Sequence, residues 1–319
     1  MITVVPYTQS MRDLWNTFEE RACNSTLLHH RSYMDYHSNR FVDASLVFFD
    51  GRNKPVALFP ACLSRRNAYT VVSHEGLTYG GLVIQPHTHT YILYDIYMSL
   101  INYYKNEKLA KELIIKPIPF IYSTLPCQEE LYIIHLLKGV LAERHLSQAI
   151  DLRQTVSTSK LRRRCILKAK RMNIEAREVT TREEWDIFHK ILSDVLKARH
   201  NTHPVHTSEE LWLLHSRFSQ KIKLYAAFSH STVLAGCVIY ISKNVVHTQY
   251  LASTPEGFET GALDLVIDNI IHTSMSEGYP YVDFGVSTER TGELNYGLTL
   301  QKEGFGGCGV CYDSYLIKL

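Results

Sequence analysis

The spacing of apolar residues predicts helices and strands in two halves of the chain, with the same order of elements in each. In the first half the pattern predicts a helix, a hairpin, a third strand, a long helix and a strand, over 11–21, 44–49 with 56–63, 69–73, 90–106 and 112–116. The second half begins with two helices and then repeats that order, over 182–199, 208–218, 223–228 with 233–241, 245–252, 261–276 and 280–286. No repeat of individual residues accompanies this repeat of elements.

The last predicted strand of the second half, 280–286, runs directly into polar residues. Asp283 lies within it, and Ser287, Glu289 and Asn295 follow in a segment that ends in a glycine-rich loop. Polar side chains at the end of a buried strand are typical of a cleft that carries chemistry. The simpler interpretation is a strand end with ordinary capping residues.

A strand–helix–strand unit takes a right-handed crossover, which makes the strands over 245–252 and 280–286 parallel neighbours. If they diverge, they open a slot beside the start of the helix between them. The first turn of that helix presents unpaired backbone N–H groups that suit a pyrophosphate. These features together fit an acyl-CoA site, with phosphates at the helix start and the thioester at the strand ends.

Five segments of the second half carry a family resemblance: 247–250, 261–264, 283–285, 294–295 and 302–306. With the order of elements, they resemble the GNAT-type acyl-CoA N-acyltransferase fold in tandem, in the branch of the Fem-type peptidoglycan aminoacyltransferases and the BioF2-like acyltransferases. The resemblance implies an α/β (α+β) fold class with two tandem GNAT-like domains, 1–150 and 151–319. Each would be a mixed, mainly antiparallel sheet with a parallel strand–helix–strand unit. The active cleft would lie in the second domain.

Two departures from the family pattern stand out. The usual GNAT pyrophosphate signature is not present between Ser253 and Ala262, and Glu256 and Glu259 would oppose a phosphate there. The long helical hairpin of Fem-type enzymes that use aminoacyl-tRNA is also not visible. The first departure leaves open a non-catalytic, GNAT-derived binding protein, and the second counts against tRNA.

Composition narrows the class of protein. Of the 319 residues, 45% are hydrophobic and 21% charged, which is typical of a soluble globular protein. We find no apolar run near the roughly 20 residues that cross a bilayer and no secretory signal in residues 1–10. The seven cysteines are scattered without a zinc spacing, and the net charge is +2. We therefore expect a cytoplasmic protein without membrane insertion, without a metal and without nucleic acid as a general partner.

Two polar segments have competing interpretations. Residues 160–171 form the densest basic run, with Leu161, Cys165, Ala169 and Met172 on one helical face. A solvated amphipathic helix is the favoured interpretation, and contact with a polyanion such as CoA phosphates, a sugar nucleotide or tRNA is the alternative. The histidine-rich segment 199–206 lacks a convincing set of metal ligands, so we expect substrate contact there.

The candidate site residues follow from the polar strand ends and from the resemblance. Strict alternation places His247 and Gln249 on one face of their strand. A cleft histidine can accept a proton from an amine at neutral pH, with Asp283 and Glu289 as competing bases and a tyrosine to protonate the departing thiolate. The predicted catalytic residues are His247, Asp283, Glu289 and Tyr296. The predicted substrate-binding residues are Gln249, Tyr250, Ser287, Asn295, Lys302 and His206. The predicted cofactor-binding residues are Gly257, Thr260, Gly261 and Ala262.

The sequence therefore favours an N-acyltransferase with acyl-CoA, for example acetyl-CoA, as co-substrate. Its acceptor would be a primary amine of a small molecule: an amino sugar, a nucleotide sugar or an amino-acid-like precursor. One alternative is a Fem-like aminoacyltransferase acting on a cell-wall precursor. Another is a GNAT-derived protein that binds a ligand without catalysis.

Overall fold

The structure is a computed structural model that describes residues 2–108, 110–289 and 291–319, with the backbone alone at residue 200. The chain divides into two compact units, Met1–Leu146 with Cys311–Leu319, and Ser147–Val310. The domain boundary after residue 150 stays a prediction. Within the described residues, no helix is long and apolar enough to span a membrane.

The first unit combines short strands with helices. Its strands are β1 (Thr3–Pro6), β2 (Leu46–Phe49), β3 (Pro55–Phe59), β4 (Cys62–Leu63), β5 (Thr70–Val72), β6 (Val83–Ile84) and β7 (Glu112–Ile115), and its helices are α1 (Arg12–Arg21), α2 (Arg31–Met34), α3 (Thr90–Glu107) and α4 (Glu129–Leu136). Strands β1–β2–β3–β6 form one antiparallel sheet, while β4–β5–β7 are neighbours in another. Strands β5 and β7 pair in parallel.

The strand β8 (Val140–Asp151) leads from the first unit into the second. The second unit then contains α5 (Lys160–Arg171), β9 (Ile174–Val179), α6 (Arg182–His200), α7 (Ser208–Arg217), β10 (Ile222–Ser229), β11 (Thr232–Ile241), β12 (Val245–Ser253), α8 (Pro255–Thr260), α9 (Ala262–Ser276), β13 (Tyr281–Val286) and α10 (Tyr296–Glu303), and the chain ends in β14 (Cys308–Lys318). Its strands lie in the order β8–β13–β12–β11–β10–β9. Every pairing in this order is antiparallel except β12 with β13.

Helices cover both faces of the second unit's sheet. On one face, Cys237 and Ile239 of β11 belong to an apolar cluster with residues of α5 and α9. Val238 lies between these two residues in sequence and therefore points to the opposite face, as Gly236 does. Helix α6 packs on this opposite face. A Cβ at Gly236 would lie 2.6 Å from Phe188 of α6, so only glycine lets this helix approach so closely. The strand alternation thus directs α9 and α6 to opposite faces.

Helices α6 and α7 begin at side-chain caps, and the basic helix α5 can be compared with the apolar face predicted from its sequence. The Thr181 and Thr207 side chains cap α6 and α7, the latter as a full capping box with Glu210. The buried face of α5 consists of Ile166 and Ala169. The predicted face was wrong at both ends, because Leu161 and Met172 are about half exposed, at 48% and 49%.

Candidate active site

The two parallel strands of the second unit pair over a short stretch and then separate. They are in register at Val245↔Tyr281, Val246↔Val282 and His247↔Asp283. Beyond these pairs β12 continues to Ser253 and β13 to Val286. The divergence on which the predicted slot depended is therefore present in the fold.

A cavity of about 150 Å³, here called the gap cavity, lies where the strands have separated. Val195 of α6 and Ile267 of α9 both line it, so the cavity passes through the sheet from one face to the other. The rest of its wall is mainly apolar and comes from β12, β13, α8, α9, α10 and the segment after α10, including Leu251, Ala252, Ser253, Phe258, Leu263, Phe284, Leu298, Lys302 and Phe305. Such a wall suits an extended, weakly polar ligand segment.

A second cavity, here called the outer cavity, continues from the first and has a volume of about 480 Å³. The two share Val195, Arg199, Ser253 and Phe258. The outer cavity also presents three charged side chains, Asp194, Arg199 and Glu259, on a wall that is otherwise mostly apolar. A ligand in the gap cavity can therefore extend past Arg199 toward solvent.

A histidine and an aspartate meet at the point where the strands part. The Nδ1 atom of His247 lies 2.8 Å from Oδ2 of Asp283, which is completely buried. The other oxygen, Oδ1, accepts hydrogen bonds from the Ser147 hydroxyl at 2.5 Å and from the Gly285 backbone N–H at 3.2 Å. An ionised carboxylate can only accept, so it orients the ring with Nδ1–H toward it and leaves Nε2 as the basic nitrogen.

Gly285 allows the close approach of strand end and imidazole. Its φ is +72°, in the left-handed region that favours glycine, and a Cβ there would lie 3.2 Å from Cε1 of His247. Any larger residue would press on the ring. The Asp-Phe-Gly segment therefore supplies both the carboxylate and the space that the imidazole needs.

Comparisons with known proteins agree with this geometry. Residues 157–296 match the family model described as acetyltransferase (GNAT) domain. The predicted resemblance to the GNAT fold is confirmed. Comparison of the sequence with functionally curated proteins gave no match.

Solved structures extend the likeness along the whole chain. FemX superposes with a TM-score of 0.71 at 10% identity, covering 99% of this chain and 97% of that one. The L-PGS of Bacillus licheniformis gives 0.61 at 12% identity, covering 96% and 91%, and a tandem GNAT protein from the clavulanic acid biosynthesis pathway gives 0.55 at 10% identity, covering 100% and 98%. At these identities the likeness is one of fold, and it supports two tandem GNAT-like domains.

Lys302 reaches the gap cavity from α10. Its Nζ donates to the carbonyl oxygens of Gly285 at 2.7 Å and Val286 at 2.8 Å, and its side chain lines the gap cavity. Burial lowers the pKa of Lys302 to about 8, although the nearby Asp283 carboxylate acts to raise it. These two bonds tie the end of β13 to α10, away from β12.

The other predicted residues near β13 are engaged in local structure. The Ser287 hydroxyl is buried and donates to Oε1 of Gln148 at 2.5 Å. The Asn295 side chain caps α10 by accepting from the Leu298 N–H at 2.9 Å, and it also donates to Glu289. Tyr296 is 75% exposed. Their roles in substrate binding or catalysis stay predictions.

Tyr250 and His206 form a second polar pair. The Tyr250 hydroxyl lies 2.6 Å from Nδ1 of the buried His206, and burial raises the pKa of Tyr250 to about 12. Between the register pairs Ile239↔Thr248 and Val238↔Tyr250 the strand bulges at Gln249. The bulge breaks the alternation that the sequence interpretation assumed, so Tyr250 lies on the face of His247 and Gln249 is the extra residue.

The four predicted cofactor-binding residues are all buried. The Gly257 N–H is capped by the Thr254 hydroxyl at 3.0 Å, and the Thr260 hydroxyl donates back to the Glu256 carbonyl at 2.9 Å. A Cβ at Gly257 would lie 2.3 Å from the Leu234 carbonyl, and one at Gly261 2.6 Å from the Cys165 carbonyl. Close packing thus accounts for both glycines, and Ala262 is likewise buried. Cofactor binding by these four residues stays a prediction.

The structure also brings forward residues that the sequence interpretation did not select. Ser147 and Gln148 come from β8, which was not predicted as a strand; its first five residues are all exposed, so no buried alternation marks its start. Phe258 and Arg199 line both cavities although they are far apart in sequence. Among the described residues, no group of three or more His, Cys, Asp or Glu side chains could hold a metal ion.

The first unit has a parallel strand pair of the same kind, but its own chain fills the space beside it. After β5, the Ser73 N–H donates to the Ile114 carbonyl at 2.9 Å, and the Gly80 N–H donates to the Lys116 carbonyl at 2.8 Å. The Lys116 N–H in turn donates to the Ser73 hydroxyl at 2.8 Å. The loop therefore follows β7 where the second unit has its gap.

Proposed function

We propose that the protein is an N-acyltransferase that holds an acyl thioester between β12 and β13 and transfers the acyl group to a primary amine. The observation that carries this proposal is the gap cavity, which passes through the sheet with the His247–Asp283 pair at the point where the strands part. The mainly apolar wall suits the thioester and its arm. The imidazole supplies the proton acceptor that the reaction requires.

The residues at the gap suit each step of the transfer. The amine nitrogen attacks the thioester carbonyl carbon, and its proton moves to Nε2 of His247. The C–S bond then breaks, and the imidazolium returns the proton to the departing thiolate. We assign that step to His247 rather than to Tyr250, because a hydroxyl with a pKa of about 12 is a poor acid toward a thiolate whose conjugate acid titrates near 8.5.

Asp283 and Lys302 act through position. The Asp283 carboxylate, fixed by Ser147 and Gly285, holds the imidazole and stabilises its protonated form. Lys302 ties the end of β13 to α10 and so keeps the gap open. Both residues are therefore required for activity in this proposal without contacting the reacting atoms.

The acceptor is proposed to be a small molecule with a primary amine, such as an amino sugar, a nucleotide sugar or an amino-acid-like precursor. The Asp194 and Glu259 carboxylates in the outer cavity support this class, because they would attract an ammonium group to the entrance of the gap. The donor is proposed to be acyl-CoA, which the GNAT match favours.

Two measurements test the proposal. Calorimetry with acetyl-CoA reports donor binding, and thiol release with a panel of amines and amino sugars reports transfer. We expect His247→Ala and Asp283→Asn to lower turnover by about 10²-fold or more, while His272→Ala, on the exposed face of α9, leaves it unchanged.

The outcomes separate the alternatives. Absence of both CoA binding and thiol release would reject the acyl-CoA transferase. Binding without release from any amine would favour the non-catalytic binding protein. Full turnover by His247→Ala would remove the imidazole from the mechanism.

A further inference from the structure

One face of α5 is a continuous row of cations. Lys160, Arg163, Arg164, Lys168 and Arg171 are spaced at i, i+3, i+4, i+8 and i+11, so they follow one another along a single helical face. All five are exposed. We call this set the cationic row.

The cationic row lines a groove of about 830 Å³, and among the described residues of its wall Glu259 is the one acidic side chain. Lys168 donates to the backbone carbonyl of Glu259 at 2.7 Å, so the carboxylate is not its partner in that bond. Within the part of the chain that the structure describes, none of the five side chains forms an ion pair with a carboxylate.

The flanks of α5 differ from this face. Arg162 pairs with Asp264 at 2.8 Å, and Lys170 pairs with Asp268 at 3.3 Å, both on α9. The helix therefore uses its flanking cations to hold the domain together. It leaves the row facing the groove, where like charges three and four residues apart repel one another. A bound polyanion would relieve that repulsion.

The groove connects to the proposed donor site through the tip of α8. Glu259 lines both the groove and the outer cavity, and its neighbour Phe258 lines both the outer cavity and the gap cavity. On the other side, the guanidinium of Arg162 lies 5.8 Å from the ring centre of Phe305, which also lines the gap cavity. A ligand with an apolar arm in the gap can reach the cationic row over α8.

The first turns of α8 and α9 are poorly suited to phosphates. The Gly257 N–H at the start of α8 is already bonded to Thr254, and the start of α9 carries the Asp264 carboxylate. Glu256 and Glu259 add negative charge beside them. The phosphates of a donor in the gap therefore need cations from another element.

We propose that the cationic row of α5 binds the phosphates of the donor's nucleotide end, in place of the loop between β12 and α9. This inference rests on the proposed function, since it assigns a second anchor to the same donor. The three arginines can each bind a phosphate through two N–H donors, and the two lysines add point charges. The gap would hold the arm and the row would hold the phosphates.

Calorimetry with three ligands tests this assignment: coenzyme A, adenosine 3′,5′-bisphosphate, which has phosphates and no arm, and pantetheine, which has the arm and no phosphates. In the double variant Arg163→Gln/Arg164→Gln, we expect the Kd of the first two to rise about tenfold or more, and that of pantetheine to stay unchanged. Coenzyme A binding to the unaltered protein should also weaken as salt is added.

The matched control is Lys190→Gln/Lys197→Gln, which removes the same charge from exposed positions on α6, outside the row. Equal weakening by the control would mean that net charge alone acts, and the proposal would fail. Unchanged coenzyme A binding in the row variant, or a parallel loss of pantetheine binding, would also overturn it.

Calorimetry and the thiol-release assay together separate this inference from the proposed function. If adenosine bisphosphate binds through the row but no acyl-CoA releases thiol with any amine, the phosphate site stands and the transferase does not. If acyl-CoA and acyl-pantetheine are used equally well by the unaltered protein and the row variant, the transferase stands and the phosphate site does not.

Discussion

His247 and Asp283 are cross-strand neighbours at the last paired position of two parallel strands, and their side chains are joined by a 2.8 Å contact. The next residues of both strands diverge around the gap cavity. The paired residues of β12 and β13 hold His247 and Asp283 in place, while the separation of the two strands beyond this pair opens the gap. An imidazole held in one orientation at the point where two strands part is suited to act as a general base.

Gly285→Ala tests the space around that imidazole. The substitution forces a positive φ on alanine, which costs about 1 kcal/mol, and it places a Cβ 3.2 Å from the His247 ring. We expect both a small loss of stability in urea unfolding and a loss of thiol release of at least about tenfold. Gly278→Ala is the matched control, because Gly278 has φ +81° and open space around its Cβ. It should lose stability alone, and equal loss of activity in both variants would contradict the assignment.

Leu298→Trp tests the gap cavity as the donor site. Leu298 lines that cavity from α10 and is 41% exposed, so a larger side chain can be placed there at little cost in stability and will obstruct the gap. We expect the KM for acetyl-CoA to rise about tenfold or more, with unfolding nearly unchanged.

Leu300→Trp provides the comparison, because Leu300 lies on the same helix, is 68% exposed and does not line the cavity. Its KM should match that of the unaltered protein. If both tryptophan variants kept the original KM, the donor would have to bind elsewhere.

The strand–helix–strand unit was predicted from the sequence, with the strands that carry His247 and Asp283 as parallel neighbours. That prediction depends on local signals: the apolar patterns of two strands with a helix between them, and the right-handed crossover that such a unit takes. The caps at Thr181 and Thr207 also have a local signal in the sequence, which is a glutamate three residues after each threonine. Such a signal is local because a capping residue acts within three positions of itself.

Features that depend on tertiary packing could not be predicted from local sequence signals. The bulge at Gln249 has no local sequence signal, so strict alternation misplaced Tyr250 relative to His247. Ser147 supports Asp283 from a strand whose exposed first half hides its pattern. Arg199 and Phe258 meet at the two cavities only because α6 and α8 lie beside the same strand.

Asn295→Ala distinguishes a capping role from a substrate-binding role. Asn295 caps the helix that carries both Leu298 and Lys302, so loss of the cap should destabilise the protein by about 1 kcal/mol and lower activity indirectly. Asn295→Ser keeps a capping oxygen and should restore most of the stability and the activity. Activity that stays low in Asn295→Ser despite normal stability would instead support the predicted contact with substrate.

The lowered pKa of Lys302 makes the free energy of unfolding depend on pH. Burial lowers its pKa in the folded protein to about 8, below its ordinary value of 10.5. Between these two values the unfolded chain binds more protons at this position than the folded chain does, so the free energy of unfolding rises with pH from about 8 to 10.5. Below pH 8 both states carry the charge and the penalty of burying it is fully present.

Urea unfolding of the unaltered protein and of Lys302→Met at pH 7.5 and pH 10 measures this effect. The stability of the unaltered protein relative to Lys302→Met should increase between the two pH values, since methionine cannot release a proton. Lys302→Arg, which stays charged, should show the same relative change if Lys302→Met folds poorly. A relative stability that does not change, or that falls, with rising pH would mean that the pKa of Lys302 is not lowered in the folded protein, and the prediction would fail.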